Sequence, residues 1–409
     1  MRYVVIGNSA AGIGAIEGIR QADPDGRITV ISSEPYHTYS RPLISYFLMG
    51  KTDGERMRYR PEGFYESNGC ETMLGVKAVS VDPGRKTVTL EGGASVEYDK
   101  LFVGAGSVPF VPPIEGLETV TNRFTFMTYD DALALKAAIT PASRVLIVGA
   151  GLIGLKCAEG VAGSVAGITV VDLAPGALSS ILDAEGSAIV REHLESRGIE
   201  FRLSDSVAKV SGGVATLVSG AEIEFDILVL AVGVRPDTAL IRDAGGKCGR
   251  GILVDSFMRS SLPDIYAAGD CTESLDVSSG TVKVMALLPN AYRQGEVAGI
   301  NMAGGSAELT DAIPMNAIGF FGLRVATAGT YEGEAYTDRK NGYKKLFYKD
   351  DTLKGFIIIG GIEKCGIYTS LVRERVPLSR INFPLIRENP GLIAFSRSYR
   401  DAKLGGAAI

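Results

Sequence analysis

Glycine at the point where a strand turns into a helix is the first chemistry-bearing feature of this 409-residue chain. Residues 7–12 read GNSAAG and residues 149–154 read GAGLIG. Glycines at such a turn let the backbone approach a pyrophosphate, and the helix that follows offers amide donors and a positive dipole end to the anion. In the first run Gly7 and Gly12 take the outer positions, Ser9 replaces the middle glycine, and Ala10 and Ala11 fill the gap. The second run is complete, with Gly149, Gly151 and Gly154 spaced by Leu152 and Ile153. Each unit continues to a strand ending in an acid, Glu34 or Asp172, placed to hold a ribose diol. Asp172 would accept from a free 2′-hydroxyl and repel a 2′-phosphate, which favours NAD over NADP. Alone, the incomplete first run also describes a packed turn that binds nothing. Two such units in one chain point to two nucleotides facing each other.

These turns need elements to hold them. The first unit reads strand YVVIG, helix IGAIEGIRQA and strand RITVISSEP; the second reads RVLIVG, a helix, and GITVVDLAP. Beyond residue 311 the pattern changes to strand-like runs, NAIGFFGLRVATAG, YKKLFYKD and LKGFIIIGG, with turns at Lys349–Asp351 and Gly360–Gly361. The length suggests two or three domains. A composition of 46% hydrophobic and 22% charged residues is that of a globular protein, and the 51 glycines imply many tight turns. A net charge of −5 gives no reason to expect nucleic acid as a partner. The opening MRYVVIG enters a strand at once, without a leader pattern, and apolar runs such as ILVLAVGV fall far short of a membrane span. A cytoplasmic protein without membrane insertion is expected. Cys70, Cys157, Cys248, Cys271 and Cys365 are scattered without a C-x-x-C pair, so no disulfide framework, zinc site or cluster is expected.

Three further motifs stand between and after the glycine turns: YDKLFVGAGSVP (98–109), FDILVLAVGVRPDTAL (225–240) and LPDIYAAGDC (262–271). With them nearly the whole chain resembles the two-dinucleotide-domain pyridine-nucleotide flavoprotein reductases. Its C-terminal part resembles the subgroup of NADH:rubredoxin reductases and assimilatory nitrite reductase flavin domains. The resemblance implies an α/β fold class: two Rossmann-like three-layer dinucleotide-binding domains plus a smaller C-terminal α+β domain. FAD is then expected on residues 1–113 with 241–311, NAD on 114–240, and a C-terminal interface domain on 312–409. FAD would be held by Gly7, Ser9, Ala10, Ala11, Gly12, Glu34, Arg41, Pro42, Ala105, Gly106, Gly269 and Asp270, the last on the ribitol. NAD would be held by Gly149, Gly151, Leu152, Ile153, Gly154, Asp172 and Gly233. The helix in LPNAYRQGEVAGINMAGG would begin under the flavin ring, its dipole stabilising negative charge there. Its Ala291, Gly295, Ala298 and Gly299 would permit close packing.

The stretch YHTYSRPLISYFLMG (36–50) carries no cysteine where a sulfur relay would stand. Arg41 and Pro42 match the Arg-Pro of reductases that serve external proteins, and electrons would leave the flavin directly. In related enzymes a Lys after this Arg-Pro pairs with a Glu beyond the second glycine turn; here those places hold Tyr46 and Lys156. Arg41, Tyr46 and Lys156 are therefore the candidate catalytic residues, with Lys156 expected to bring a cation near the flavin and tune its potential. A surface lysine is the plainer alternative. Neither His37 nor His193 suits a general base. The end of the chain interleaves Arg380, Arg387, Arg397, Arg400 and Lys403 with Phe383, Phe395 and Tyr399. With two prolines breaking it, this segment is expected to stand off its own core and dock a partner. The function expected is hydride exchange with NAD(H) and electron exchange with rubredoxin or an iron–sulfur subunit. Either a homodimer or a hetero-oligomeric complex fits. The alternatives are an NADH oxidase, a CoA-disulfide reductase-like enzyme, and a non-catalytic structural subunit. No metal site is expected.

Overall fold

A computed structural model describes the backbone of residues 1–404 and the side chains of residues 1–401. Its first strand, Arg2–Ile6, forms where Tyr3, Val4, Val5 and Ile6 are apolar in succession and all buried, the pattern of a strand covered on both faces. It pairs in parallel with Arg27–Ser32 and Lys100–Val103, and Cys70–Leu74 and Ile265–Ala267 extend the sheet to five strands. Helix α1, Ala10–Ala22, makes the first crossover. It buries Ile13, Ile16 and Ile19 along one stripe, each contributing about 1.5–3 kcal/mol. Helix α2, Ile44–Leu48, follows a single tight turn at Arg41–Leu43.

The same plan then repeats. Strands Ile199–Leu203, Gly167–Asp172, Arg144–Val148, Ile227–Leu230 and Arg123–Phe124 form a second five-stranded parallel sheet in that order. Helix α3, Leu152–Val161, makes its crossover. In both halves the chain passes from an outer strand through a three-stranded antiparallel meander, residues 78–97 or 207–224, before returning beside the first strand.

Helix α4, Leu288–Met302, lies against α1 along a seam of small residues. A Cβ at Gly14 would stand 2.9 Å from Glu296 N, one at Gly18 3.0 Å from Ile300 N, and one at Gly299 2.8 Å from Ile19 N. Of the small residues expected on α4, Gly299 and Gly295 bring the two backbones together, a Cβ at Gly295 standing 2.8 Å from Ala11 C.

Residues 1–274 and 283–309 form one compact unit, and 275–282 with the described residues from 310 onward form another. The second unit is a five-stranded antiparallel sheet. Its order is Met315–Phe320, Leu323–Gly329, Thr352–Gly360, Gly342–Lys349 and Glu334–Asp338. The helix Cys365–Glu374 packs on it through Tyr368, Leu371 and Val372. The hairpin residue Val277 joins this core and donates to Ala312 O at 3.0 Å.

The terminal segment corrects the expectation that it stands off its core. Ile386, Ala394 and Phe395 are buried in the second unit's core, and Tyr368 OH donates to Ile386 O at 2.8 Å. Phe395 stacks on Tyr399 at 4.9 Å, and Arg387 lies 4.9 Å from the centre of the Tyr336 ring. Pro384 starts the short helix Phe383–Glu388 instead of detaching it, because proline suits a first helical turn. Arg380 and Arg397 remain exposed, as do Leu392 and Ile393; the Lys403 side chain lies outside the described residues. Among the described residues no helix is long and apolar enough to cross a membrane.

Candidate functional site

The first glycine turn opens into a cavity of about 650 Å³ in the first unit. Gly7 takes φ 105°, and a Cβ there would stand 2.9 Å from Gly104 C, so only glycine fits where the first strand meets its neighbour's end. Gly7, Ser9, Ala10, Ala11, Glu34, Arg41, Ala105, Gly106, Gly269 and Asp270 all line the cavity. These ten come from five separate sequence segments, which the parallel sheet gathers at the C-terminal ends of its strands, where open α/β sheets take ligands. Gly12 and Pro42 do not line it. Gly12 instead packs helix on strand, since a Cβ would stand 2.9 Å from Gly7 C, and Pro42 shapes the turn that presents Arg41.

Glu34, read as a ribose acid, already has partners. Arg41 forms an ion pair with one carboxylate oxygen, and Tyr39 OH donates to the other at 2.5 Å. Arg41 also donates to Met127 O at 3.1 Å, and Tyr39 OH accepts from Tyr129 N at 2.9 Å. Burial works against the Arg41 charge, but the Glu34 carboxylate outweighs it and holds the guanidinium above its ordinary range. Asp270 is raised too: burial lifts its carboxyl, against the pull of the Arg41 charge and the nearby Ser107 hydroxyl. That hydroxyl is buried and short of full hydrogen-bond geometry with any protein group. A desolvated carboxyl and an unsatisfied hydroxyl on one cavity wall suit a ligand rich in hydroxyls and amides, as a flavin with its ribitol is. Asn8, Ser107, Asp237 and Leu288 also line the cavity and were not singled out from sequence; Ser107 stands inside the quoted GAGSVP run and was readable there.

The second glycine turn is built alike. Gly149 takes φ 118°, and a Cβ would stand 2.6 Å from Ala231 C, while one at Gly154 would stand 3.1 Å from Gly149 C. Gly151, which caps α3, faces open space, and so does Gly233. Backbone bared beside a helix N-terminus is what a pyrophosphate needs. Leu152 and Ile153 form the first turn of α3 and are half-buried. Asp172 accepts from Ala150 N at 2.6 Å and from Ala174 N at 2.7 Å, so its carboxylate is fixed across the glycine turn.

Lys156 departs from expectation. It does not bring an added cation to the site, because its ammonium pairs with Glu159 one turn along α3 and lies 4.8 Å from the centre of the Tyr46 ring. An acid at i,i+3 faces the lysine and offsets its charge. Neither Tyr46 nor Lys156 lines the cavity. No cysteine lines it either; the Cys271 thiol is buried and pushed up to about 12, the range of an inert packing thiol. Among the described residues no cluster of three or more His, Cys, Asp or Glu could hold a metal.

Comparison with known proteins agrees with this geometry. Residues 1–295 match the family described as pyridine nucleotide-disulphide oxidoreductase. The chain is 31% identical over 394 residues to the NADH-dependent phenylglyoxylate dehydrogenase subunit epsilon of Aromatoleum evansii, covering 92% of this chain and 93% of that one. It is 26% identical over 368 residues to the NADH-rubredoxin oxidoreductase of Clostridium acetobutylicum, covering 88% and 91%. It spans about half of the assimilatory nitrate reductase electron transfer subunit of Bacillus subtilis, at 29% identity over 388 residues, 91% of this chain and 49% of that one. The fold is that of the reductase in a covalent putidaredoxin reductase–putidaredoxin complex, with a TM-score of 0.88 at 19% identity over 100% of this chain and 99% of that one. With both glycine turns, the cavity and the family match over residues 1–295 in view, the chain belongs to the pyridine nucleotide-disulphide oxidoreductase family of FAD-dependent NAD(P)H oxidoreductases.

Proposed function

We propose that the chain passes reducing equivalents from NADH to an external iron-centred protein, rubredoxin or an iron–sulfur subunit. The observation that carries the reading is the make-up of the cavity wall after Glu34, where Arg41 stands and no thiol does. Without sulfur beside the flavin, the electrons have a direct exit only. FAD, when bound, supplies the conversion between a two-electron hydride and single electrons. On this reading residues 1–113 with 241–311 hold FAD, with Asp270 and Ser107 on its hydroxyls. Residues 114–240 hold NAD, with Gly151 and the α3 N-terminus on its pyrophosphate and Asp172 on its ribose. The fixed Asp172 carboxylate supports NAD over NADP. The five unpaired cysteines support a reducing, cytoplasmic setting.

A place inside a larger dehydrogenase is the second reading, favoured by the match along 93% of a relative that is itself a subunit. Anaerobic stopped-flow mixing of the FAD-loaded chain with NADH, then with oxidised rubredoxin or air, separates the two. Fast bleaching with rapid reoxidation by rubredoxin supports a free-standing reductase. Fast bleaching with slow reoxidation by both supports the subunit. Absence of bleaching by NADH would sink both.

A further inference from the structure

Helix α3 begins at the second glycine turn, and α2 begins three residues after Arg41, on the wall of the first cavity. The two helices pack side by side: a Cβ at Gly160 would stand 3.2 Å from both Leu48 Cδ1 and Ser45 O. On this seam the side chains of Lys156 and Glu159 are only 13% and 7% exposed, while Tyr46 is 38% exposed. The Lys156 ammonium is therefore shared between a carboxylate on its own helix and an aromatic ring on the other.

We propose that Tyr46 and the Lys156–Glu159 pair act as a positioning unit that sets the second glycine turn against the first cavity, and through it the approach of the nicotinamide to the flavin. The inference rests on the proposed placement of FAD and NAD. Three features carry it. Helix α2 has five residues and cannot hold its own geometry, so its place is set by what it packs against. The cation–π contact crosses from α2 to α3 within two turns of the glycine loop, so a shift there moves the loop. The opposite charges of the pair offset each other, so the unit acts through geometry more than through net charge. Hydride transfer is steep in distance: a misplacement of about 1 Å can cost ~100-fold.

The test is a cycle on the FAD-loaded chain: Tyr46→Leu, Lys156→Met/Glu159→Gln, and all three together, with Tyr46→Phe as the conservative control. Removing both charges at once avoids stranding a buried carboxylate. Three readouts apply: the NAD⁺ dissociation constant from the flavin difference spectrum, the rate of flavin reduction by NADH, and the flavin midpoint potential. Tyr46→Leu and the charge-pair variant should each slow reduction about tenfold and weaken NAD⁺ binding severalfold, with the triple variant no worse than either. Tyr46→Phe should recover most of the loss, and the potential should stay at the parent value throughout. Additive effects, or parent-like binding and reduction in Tyr46→Leu, overturn the proposal. A potential that moves with the charge-pair variant alone also overturns it, since the pair would then act by charge. If NADH fails to reduce even the parent, the proposed function fails, and NAD⁺ binding across the same variants still decides this inference.

Discussion

Gly295→Ala places one methyl group in the α1–α4 seam, 2.8 Å from the Ala11 carbonyl carbon and 3.0 Å from Ala11 Cα. Carbon atoms settle at about 3.5–4.0 Å, so the helices must part by roughly 0.5–1 Å. The obstacle is backbone, and no rotamer change relieves it. Overpacking of this kind costs about 1–3 kcal/mol, and a backbone obstacle belongs at the upper end. Alanine recovers about 1 kcal/mol of helix propensity, leaving a net loss of about 2 kcal/mol. For a unit of about 300 residues that corresponds to a Tm about 3 °C lower. Flavin binding should weaken with it, because Ala11 and Ala291 line the cavity and Gly269 is wedged against both. Melting followed by flavin fluorescence, with the FAD-to-protein ratio after gel filtration, reads both effects. Gly163→Ala is the control, since no atom lies within 4 Å of its Cβ position and its φ is ordinary. A Gly295→Ala protein that melts with the control and keeps its FAD would refute the reasoning.

Asp172→Ala should raise the KM for NADH about tenfold and narrow the preference over NADPH, because it removes the acceptor of the Ala150 and Ala174 amides and a charge that repels a 2′-phosphate; steady-state kinetics with both cofactors checks it. Burial pushes the Glu17 carboxyl up, but hydrogen bonds from Arg60 and Tyr292 outweigh that and hold it below its ordinary value. A depressed carboxyl stabilises above its unfolded pKa and loses that contribution as pH falls through the folded pKa. Between about pH 5 and 3, then, the parent's Tm should fall more steeply than that of Arg60→Met. Phe395→Ala should destabilise the second unit by about 3–5 kcal/mol and speed proteolysis of the terminal segment, whereas Ile393→Ala, at a side chain 78% exposed, should change neither.

The glycine turns were legible because they obey a steric rule that does not depend on the rest of the chain. A residue that must let two backbones pass can be named from spacing alone: Gly295 and Gly299 behave as read, and Gly7 and Gly149 are likewise closed to a side chain by neighbouring backbone. The partners of charged groups were less legible. Arg41 reaches Glu34 across a loop whose course the pattern does not define, and Tyr39 in that loop carried no signal of its own. Glu159 was readable: an acid three residues after Lys156 on a helix faces it, and weighing that spacing would have removed the expected lone cation. At the C-terminal end the prolines and arginines were given more weight than Ile386, Ala394 and Phe395. Burial of those three side chains outweighs the breaks in backbone regularity.

The chain reaches its second compact unit twice. It enters for residues 275–282, leaves, and returns at 310, so the unit is made from two stretches separated by helix α4. No single cut releases it. A protein ending at residue 309 would leave Val277 without the core it joins and without its bond to Ala312, while a fragment starting at 310 would lack a piece of its own interior. Any exchange of the C-terminal unit between relatives, by recombination or in the laboratory, has to carry the hairpin with it. Helix α4, whose Leu288 and Ala291 line the first cavity, is thereby bracketed on both sides by segments of one unit.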